Sequence, residues 1–205
     1  MKVVIFPGVN FKMAGSHKYF LKKITDGLGC TGEIFVWENP HVLPPFNLPL
    51  QDTRNILCGV LLDFERVLLH SQEIKVPDAD VYIGHSAGSI MALIQDRPCV
   101  TMASPAALVD TLIQEENSAP AKDPEVALAA ARVLKALSTH QVLNVINRYD
   151  LVAYPFIKPN IENYEYTGTW CNPNSYNPLV THSDYWTNKT VIDKVITTIK
   201  SWNKA

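Results

Sequence analysis

The chain has 205 residues, of which 47% are hydrophobic, and a formal net charge of −2. This length and composition predict a single domain over residues 1–205 with one well-buried core. A nearly neutral chain without a long basic run argues against nucleic acid as the main partner. It also has no apolar run long enough to span a membrane, because Lys, Asp, Glu or Pro interrupts each one.

The N-terminal residues do not have the pattern of a signal peptide. The apolar run from Met1 to Phe6 passes directly into a turn at Pro7-Gly8, so it predicts a first core strand. The four cysteines lie far apart, without the CxxC or Cys/His spacing of a zinc site or the density of a disulfide framework. We therefore expect a cytoplasmic protein with reduced thiols.

The first half of the chain alternates predicted strands and helices. After the first strand, a helix is predicted from Ser16, as its N-cap, to Leu28, and a second strand over Glu33–Trp37. The proline-rich stretch 39–50 that follows cannot form a regular helix. Apolar residues at helical spacing then predict a helix over residues 56–68.

The second half of the chain continues this alternation. Strands are predicted over residues 80–83, 99–103, 142–146 and 164–166, and helices over residues 90–94, 124–137 and 191–202. Such an alternation predicts an α/β fold, a three-layer α/β/α sandwich with a doubly wound, mostly parallel sheet of about six strands. Ligand sites in this class of fold lie at the carboxyl ends of the strands.

The segment from Gly84 to Gly88, Gly-His-Ser-Ala-Gly, lies between a predicted strand and a predicted helix. A Gly-x-Ser-x-Gly sequence in this context is typical of a nucleophile elbow, whose serine has a strained backbone that neighbouring glycines accommodate. The pattern predicts Ser86 as a nucleophile and the amide of Ala87 as one oxyanion donor. An ordinary glycine-rich connection of an α/β domain is the alternative interpretation.

A serine nucleophile needs an imidazole base, and the base needs a carboxylate that holds its tautomer. Asp150 follows the predicted strand 142–146, and His182 lies in the predicted loop before the last helix. The order Ser86, Asp150, His182 is that of hydrolases with an elbow. Asp184 is the alternative acid, and an Asx turn without a catalytic role is the alternative interpretation of Asp150.

The loop after the first strand is expected to supply a second oxyanion donor. Gly8 allows the backbone to approach a reacting carbonyl, and the amide of Val9 is the predicted donor, with the Asn10 side chain as a substitute. A tight turn without a catalytic role is the alternative interpretation. The other histidines are predicted to lie at the surface or to support the site: His17, His41, His70, His85 and His140.

Taken together, these segments resemble the α/β-hydrolase superfamily, and in detail the class three, fungal-type lipase family. Four stretches carry the resemblance to that family's elbow, Gly-Ser-Pro strand end, acid segment and His-x-x-Tyr base segment: Gly84–Gly88, Met102–Pro105, Asn144–Pro155 and His182–Trp186. The resemblance implies an esterase or lipase that acts through a seryl acyl-enzyme, without a metal or a cofactor. A small-molecule carboxylic ester is the expected substrate.

Two departures from the family favour a short-chain or water-soluble ester over a lipid. The segment Phe6-Pro7-Gly8-Val9 lacks the arginine and the hydroxyl of the family's oxyanion loop, and no segment matches its helical lid. Candidates for the acyl-pocket wall and for flanking the histidine are Phe11, Met13, Phe46, Leu48, Tyr185 and Trp186. An acyltransferase with the same triad and a non-catalytic binding module with the same fold are the alternative functions.

Overall fold

The computed structural model describes residues 1–8, 15–37, 74–106, 124–150, 153–168 and 178–204. The strands are β1 (Lys2–Phe6), β2 (Thr31–Ile34), β3 (Val81–His85), β4 (Cys99–Met102), β5 (Val142–Asn147) and β6 (Ile161–Tyr166). The helices are α1 (Gly15–Leu28), α2 (Gly88–Leu93), α3 (Pro124–Thr139), α4 (Pro178–Ser183), a 3-10 turn (Asp184–Trp186) and α5 (Lys189–Trp202). Strands and helices alternate from β1 to β2 and from β3 to β5, as the sequence predicts, whereas no helix is described between β5 and β6.

The six strands form one sheet in the order β2-β1-β3-β4-β5-β6, and every neighbouring pair is parallel. The chain crosses from β1 outward to β2, and from β3 in the opposite direction towards β6, so the winding reverses between β1 and β3. Ligands of such sheets bind in the crevice at the carboxyl ends of the strands where the winding reverses. Gly8 follows β1 and Ser86 follows β3, so both residues lie at this position.

The core has two halves because the sheet is buried on both faces. Along β1, Val4 and Phe6 pack with residues of α2 and α3, whereas Val3 and Ile5 pack with residues of α1 and α5. Helices therefore cover both faces of the sheet. The predicted three-layer α/β/α architecture with a doubly wound sheet of about six strands is confirmed, and every strand pair in it is parallel.

Several predicted boundaries are wrong, among them the start of the last strand, which is Ile161 and not residue 164. Helix α1 begins at Gly15, so Ser16 lies inside its first turn and is not the N-cap. The second strand ends at Ile34, three residues earlier than predicted, although the amide of Phe35 still donates to the carbonyl of Ile5 at 2.9 Å. The indole of Trp37, predicted to be in this strand, packs in the core and donates a hydrogen bond to the carbonyl of Pro7 at 3.0 Å.

Several sequence predictions concern residues outside the described ranges. They are the helix 56–68, the proline-rich stretch 39–50, and the pocket candidates Phe11, Met13, Phe46 and Leu48. The prediction of one domain over residues 1–205 stays a prediction. Within the described ranges, no helix combines the length and the apolar composition that a membrane span requires.

Candidate active site

The turn between β3 and α2 has the backbone of a nucleophile elbow. Ser86 has a φ of 54°, in the left-handed region that non-glycine residues rarely adopt. A Cβ atom added to Gly84 would lie 2.6 Å from the carbonyl carbon of Gly88, and one added to Gly88 would lie 2.5 Å from the carbonyl oxygen of Pro7. Because these neighbours are backbone atoms, the turn cannot form with a side chain at either position.

The hydroxyls of two buried serines, Ser89 and Ser104, form a chain of hydrogen bonds that ends at the carbonyl of Ser86. The amide of Ser86 donates to the carbonyl of Met102 at 2.9 Å, and the hydroxyl of Ser89 donates to the carbonyl of Ser86 at 2.6 Å. The Ser89 oxygen is 2.7 Å from the hydroxyl of Ser104, which accepts from the amide of Ala106 at 3.2 Å. Since a carbonyl only accepts, the Ser89 proton points to Ser86 and the Ser104 proton points to Ser89.

The end of β1 packs directly against the Ser86 side chain. A Cβ atom added to Gly8 would lie 2.9 Å from Cβ and 3.4 Å from Oγ of Ser86, so a side chain at Gly8 would crowd the hydroxyl. The hydrogen bond from Trp37 to the carbonyl of Pro7 holds this segment in place. The predicted oxyanion donor, the amide of Val9, and its substitute Asn10 lie outside the described residues.

The amide of Ala87 lies at the start of α2, where Ala87 is the N-cap residue. The first amides of a helix have no partner within it, so they are available to an incoming negative charge. The carbonyl of Ala87 accepts from the amide of Ile90 at 3.1 Å, which orients the peptide units of this turn. The oxyanion role of Ala87 stays a prediction.

Asp150 and His182 lie in contact, although 32 residues separate them in the chain. Nδ1 of His182 is 2.9 Å from Oδ2 and 3.1 Å from Oδ1 of Asp150. Since a carboxylate only accepts, Nδ1 carries the proton, and Nε2 of the neutral ring is left as a base. The Asp150 side chain is only 2% exposed, whereas that of His182 is 19% exposed. His182 lies in the last turn of α4, so the prediction that it lies in a loop is wrong.

Tyr185 and Asn147 fix the position of the Asp150 carboxylate. The Tyr185 hydroxyl accepts from the amide of Asn147 at 2.9 Å and donates to Oδ2 of Asp150 at 2.9 Å. Burial, with the charge on Asp150, raises the pKa of Tyr185, so the hydroxyl keeps its proton. The Asn147 side chain accepts from the amide of Tyr149 at 3.2 Å and donates to the carbonyl of Thr181 at 3.3 Å. Asn147 thereby links the turn before Asp150 to the helix that carries His182.

The alternative acid, Asp184, has other neighbours. Its Oδ2 atom accepts from the side chain of Asn188 at 3.1 Å. Its charge also contributes, after burial, to raising the pKa of Tyr166. Nδ1 of His182 is within hydrogen-bond distance of Asp150, so the pair of groups that the structure brings together is Asp150 with His182.

His85 and His17, predicted to lie at the surface or to support the site, are both buried. His85 packs among the rings of His182, Tyr185 and Trp186, with centroid distances of 4.8, 5.6 and 4.9 Å. Its Nε2 atom is 2.6 Å from the carbonyl oxygen of His182, and burial lowers its pKa to about 3. His17 is also buried, with its ring 4.3 Å from that of Trp186. Both rings therefore belong to the packing around the site.

The remaining histidines lie apart from this cluster or outside the described residues. His140 contacts the carboxylate of Asp96 at 2.6 Å, near the amino end of the sheet, and His41 and His70 lie outside the described residues. Among the residues that the structure describes, no three His, Cys, Asp or Glu side chains are grouped in a way that could hold a metal ion.

The sequence patterns did not single out Tyr185, Asn147, Ser89 or Ser104 for the contacts they make. Tyr185 was considered as a residue flanking the histidine, yet it is fully buried and contacts the acid. The sequence contains one signal that Tyr185 lies near the base. Residues 182 and 185 are three apart, the spacing that brings side chains together across one helical turn. Asn147 lies where β5 ends, and an asparagine there is a common turn former.

The comparisons with known proteins bear on the fold. No protein-family model matches the chain, and no curated protein matches it. Among solved structures, the chain is similar to Est1E from Butyrivibrio proteoclasticus, with a TM-score of 0.50 and 14% sequence identity over 98% of this chain and 86% of that one. At this identity the likeness shows the fold alone, which is the α/β-hydrolase fold. It does not support the class three lipase family in particular.

Proposed function

We propose that the protein is a serine hydrolase that cleaves a carboxylic ester through a seryl acyl-enzyme. In this proposal Ser86 is the nucleophile, His182 the general base and Asp150 the acid that orients it. The observation that carries the proposal is the buried Asp150–His182 pair, which lies at the same edge of the sheet as the strained Ser86. The structural neighbour Est1E is an esterase, which supports the same class of reaction.

The proposed reaction has two halves. Oγ of Ser86 attacks the ester carbonyl carbon while Nε2 of His182 takes the hydroxyl proton, and the intermediate collapses when His182 returns that proton to the leaving alcohol. Water then attacks the acyl-enzyme, with His182 again taking a proton, and the acid leaves as the serine hydroxyl re-forms. The amides of Ala87 and Val9 are the proposed donors to the oxyanion in both halves.

The contacts around His182 suit this role. A buried carboxylate beside Nδ1 stabilises the positively charged imidazole that forms each time Nε2 takes a proton. The Tyr185 hydroxyl and the Asn147 amide hold that carboxylate in place before the reaction begins, so little reorganisation is needed during it. The base must be neutral to act, because only a neutral imidazole can take the serine proton at Nε2.

The proposed substrate is a short-chain or water-soluble ester. This part of the proposal rests on the segment Phe6-Pro7-Gly8-Val9, which lacks the polar side chains of the oxyanion loop in class three lipases. The closer relation to those lipases is likewise a proposal, supported only by the sequence motifs. No contact among the described residues favours an acyltransferase over a hydrolase.

The proposal is tested by hydrolysis of p-nitrophenyl acetate, butyrate and octanoate with purified protein. We expect turnover that Ser86→Ala and His182→Ala reduce to the background rate, with the acetate or butyrate preferred. Asp184→Asn is the matched control, because this carboxylate lies two residues from the base and contacts Asn188. Full activity in the Ser86→Ala or His182→Ala variant would overturn the proposed mechanism.

A further inference from the structure

His85 connects the strand of the proposed nucleophile to the helix of the proposed base. It is the last residue of β3 and directly precedes Ser86, so its ring is fixed to the same backbone as the elbow. Its Nε2 atom lies 2.6 Å from the main-chain carbonyl oxygen of His182, which is 97 residues away in the chain. This hydrogen bond therefore joins the strand that precedes Ser86 to the helix that carries His182. The proposed reaction depends on the distance between these two residues.

The direction of this hydrogen bond follows from the chemistry of its two atoms. A carbonyl oxygen can only accept, so Nε2 of His85 carries the proton. The ring is 6% exposed and is surrounded by the rings of His182, Tyr185 and Trp186. Burial favours the neutral ring, and the hydrogen bond to the carbonyl keeps its single proton on Nε2.

The carbonyl that accepts this bond lies in the last turn of a short helix. Helix α4 ends at Ser183, and the last carbonyls of a helix have no partner within it. A buried donor on another element satisfies such a group and fixes where the helix ends. His182 then has two independent attachments, Nδ1 to Asp150 and the main chain to His85.

We propose that His85 is a positioning residue, which sets the distance between the Ser86 hydroxyl and the His182 ring by holding the end of α4 against β3. The inference rests on the proposed function, because it assigns His85 a part in the proton transfer between these two groups. His85 itself exchanges no proton in the reaction. Its role is to donate one hydrogen bond from the position of Nε2.

A matched pair of substitutions tests the position of the donor. The side-chain amide of glutamine can place an N–H group where Nε2 of histidine lies, whereas that of asparagine reaches only as far as Nδ1. We expect His85→Asn to lower kcat for p-nitrophenyl acetate by about a hundredfold with KM little changed, as for a misplacement of about 1 Å. We expect His85→Gln to stay within about threefold of the native kcat, since the donor is restored.

The outcomes separate this inference from the proposed function. If Ser86→Ala and His182→Ala abolish turnover and folded His85→Asn does not differ from His85→Gln, the positioning role is wrong and the proposed function stands. If Ser86→Ala retains turnover, the proposed function itself fails. Thermal unfolding of each variant shows whether it is folded at the assay temperature.

A second measurement does not depend on catalytic activity. Nitrogen-15 spectra of labelled histidine distinguish the two tautomers of each ring. We expect one histidine that keeps its proton on Nε2 and does not titrate between roughly pH 5 and 8, and whose signal His85→Gln removes. A His85 signal that titrates in this range, or that shows the proton on Nδ1, would overturn the inference.

Discussion

The two sides of the candidate site are held in different ways. On the nucleophile side, close backbone packing fixes Ser86, because Gly8, Gly84 and Gly88 leave no room for side chains. On the acid and base side, hydrogen bonds between distant segments fix Asp150 and His182. The position of Ser86 depends mainly on the few residues that pack against the elbow. The positions of Asp150 and His182 depend on how β5 is placed against the helices that follow β6.

This difference leads to different expectations for substitutions. Changing a residue that packs against the elbow should disturb folding, because backbone atoms cannot move apart to accept a side chain. Changing a hydrogen-bonding residue on the acid and base side should first disturb the reaction, with a smaller loss of stability.

Asp150→Asn should have the largest effect, on turnover. The amide cannot stabilise a positively charged imidazole and favours the wrong tautomer of His182, so kcat should fall by about 10⁴-fold. Such a loss corresponds to about 5.5 kcal/mol in the activation free energy. Steady-state kinetics with p-nitrophenyl acetate measure it, beside Asp184→Asn as the control. Equal kinetics in the two variants would remove Asp150 from the proposed triad.

Gly84→Ala should have the largest effect on stability. The added methyl group would meet backbone atoms of Gly88 and Ser89, so we expect a loss of about 3 kcal/mol in the free energy of unfolding. Gly15→Ala is the control, because no heavy atom lies within 4 Å of the Cβ position there. Urea denaturation of both variants gives the comparison. If Gly84→Ala were as stable as Gly15→Ala, the close packing of the elbow would be refuted.

Tyr185→Phe should cost less stability, about 1–2 kcal/mol, because it leaves the buried amide of Asn147 without its acceptor and Asp150 without one donor. Turnover should also fall, since the carboxylate loses part of its support. Tyr166→Phe is the control, because Tyr166 is also buried and the charge of Asp184 raises the pKa of its hydroxyl more than that of Asp150 does. Equal losses of activity in the two variants would argue against a special role for Tyr185.

The smallest predicted effect is the dependence of stability on pH that His85 introduces. Its pKa is about 3 in the folded protein, against 6.5 for an ordinary histidine, so below pH 6.5 the unfolded chain binds a proton that the folded protein does not. The free energy of unfolding should therefore fall with falling pH, by about 1 kcal/mol between roughly pH 6.5 and 5.5 from this group. Urea denaturation at several pH values measures this slope, and His85→Gln should remove that part of it. An unchanged slope in the variant would show that His85 is not held neutral.

Much of the fold could be predicted from the sequence because the relevant signals are local. Pro124 starts α3 as predicted, and the apolar runs around Val81 and Val142 form strands at the expected positions. The second strand was predicted too long because Trp37 has the apolar character of a strand residue. Its indole instead bonds to Pro7, a contact between distant residues that no local pattern encodes.

In the candidate site, too, local patterns predict local structure but not contacts between distant residues. The glycine pattern around Ser86 predicts a strained turn, and the structure has one, with a φ of 54° at this serine. The hydrogen bonds of Tyr185 and His85 join residues that are 35 and 97 positions apart in the chain. Their partners depend on how α4 and the 3-10 turn pack against the sheet, which no pattern in either segment specifies.

Labelling with a fluorophosphonate probe shows whether Ser86 is an activated nucleophile. Native protein, Ser86→Ala, His182→Ala and heat-denatured protein are treated alike, and the labelled peptide is mapped by mass spectrometry. We expect labelling at Ser86 in the native protein alone. No labelling of the native protein, or equal labelling of His182→Ala, would contradict it.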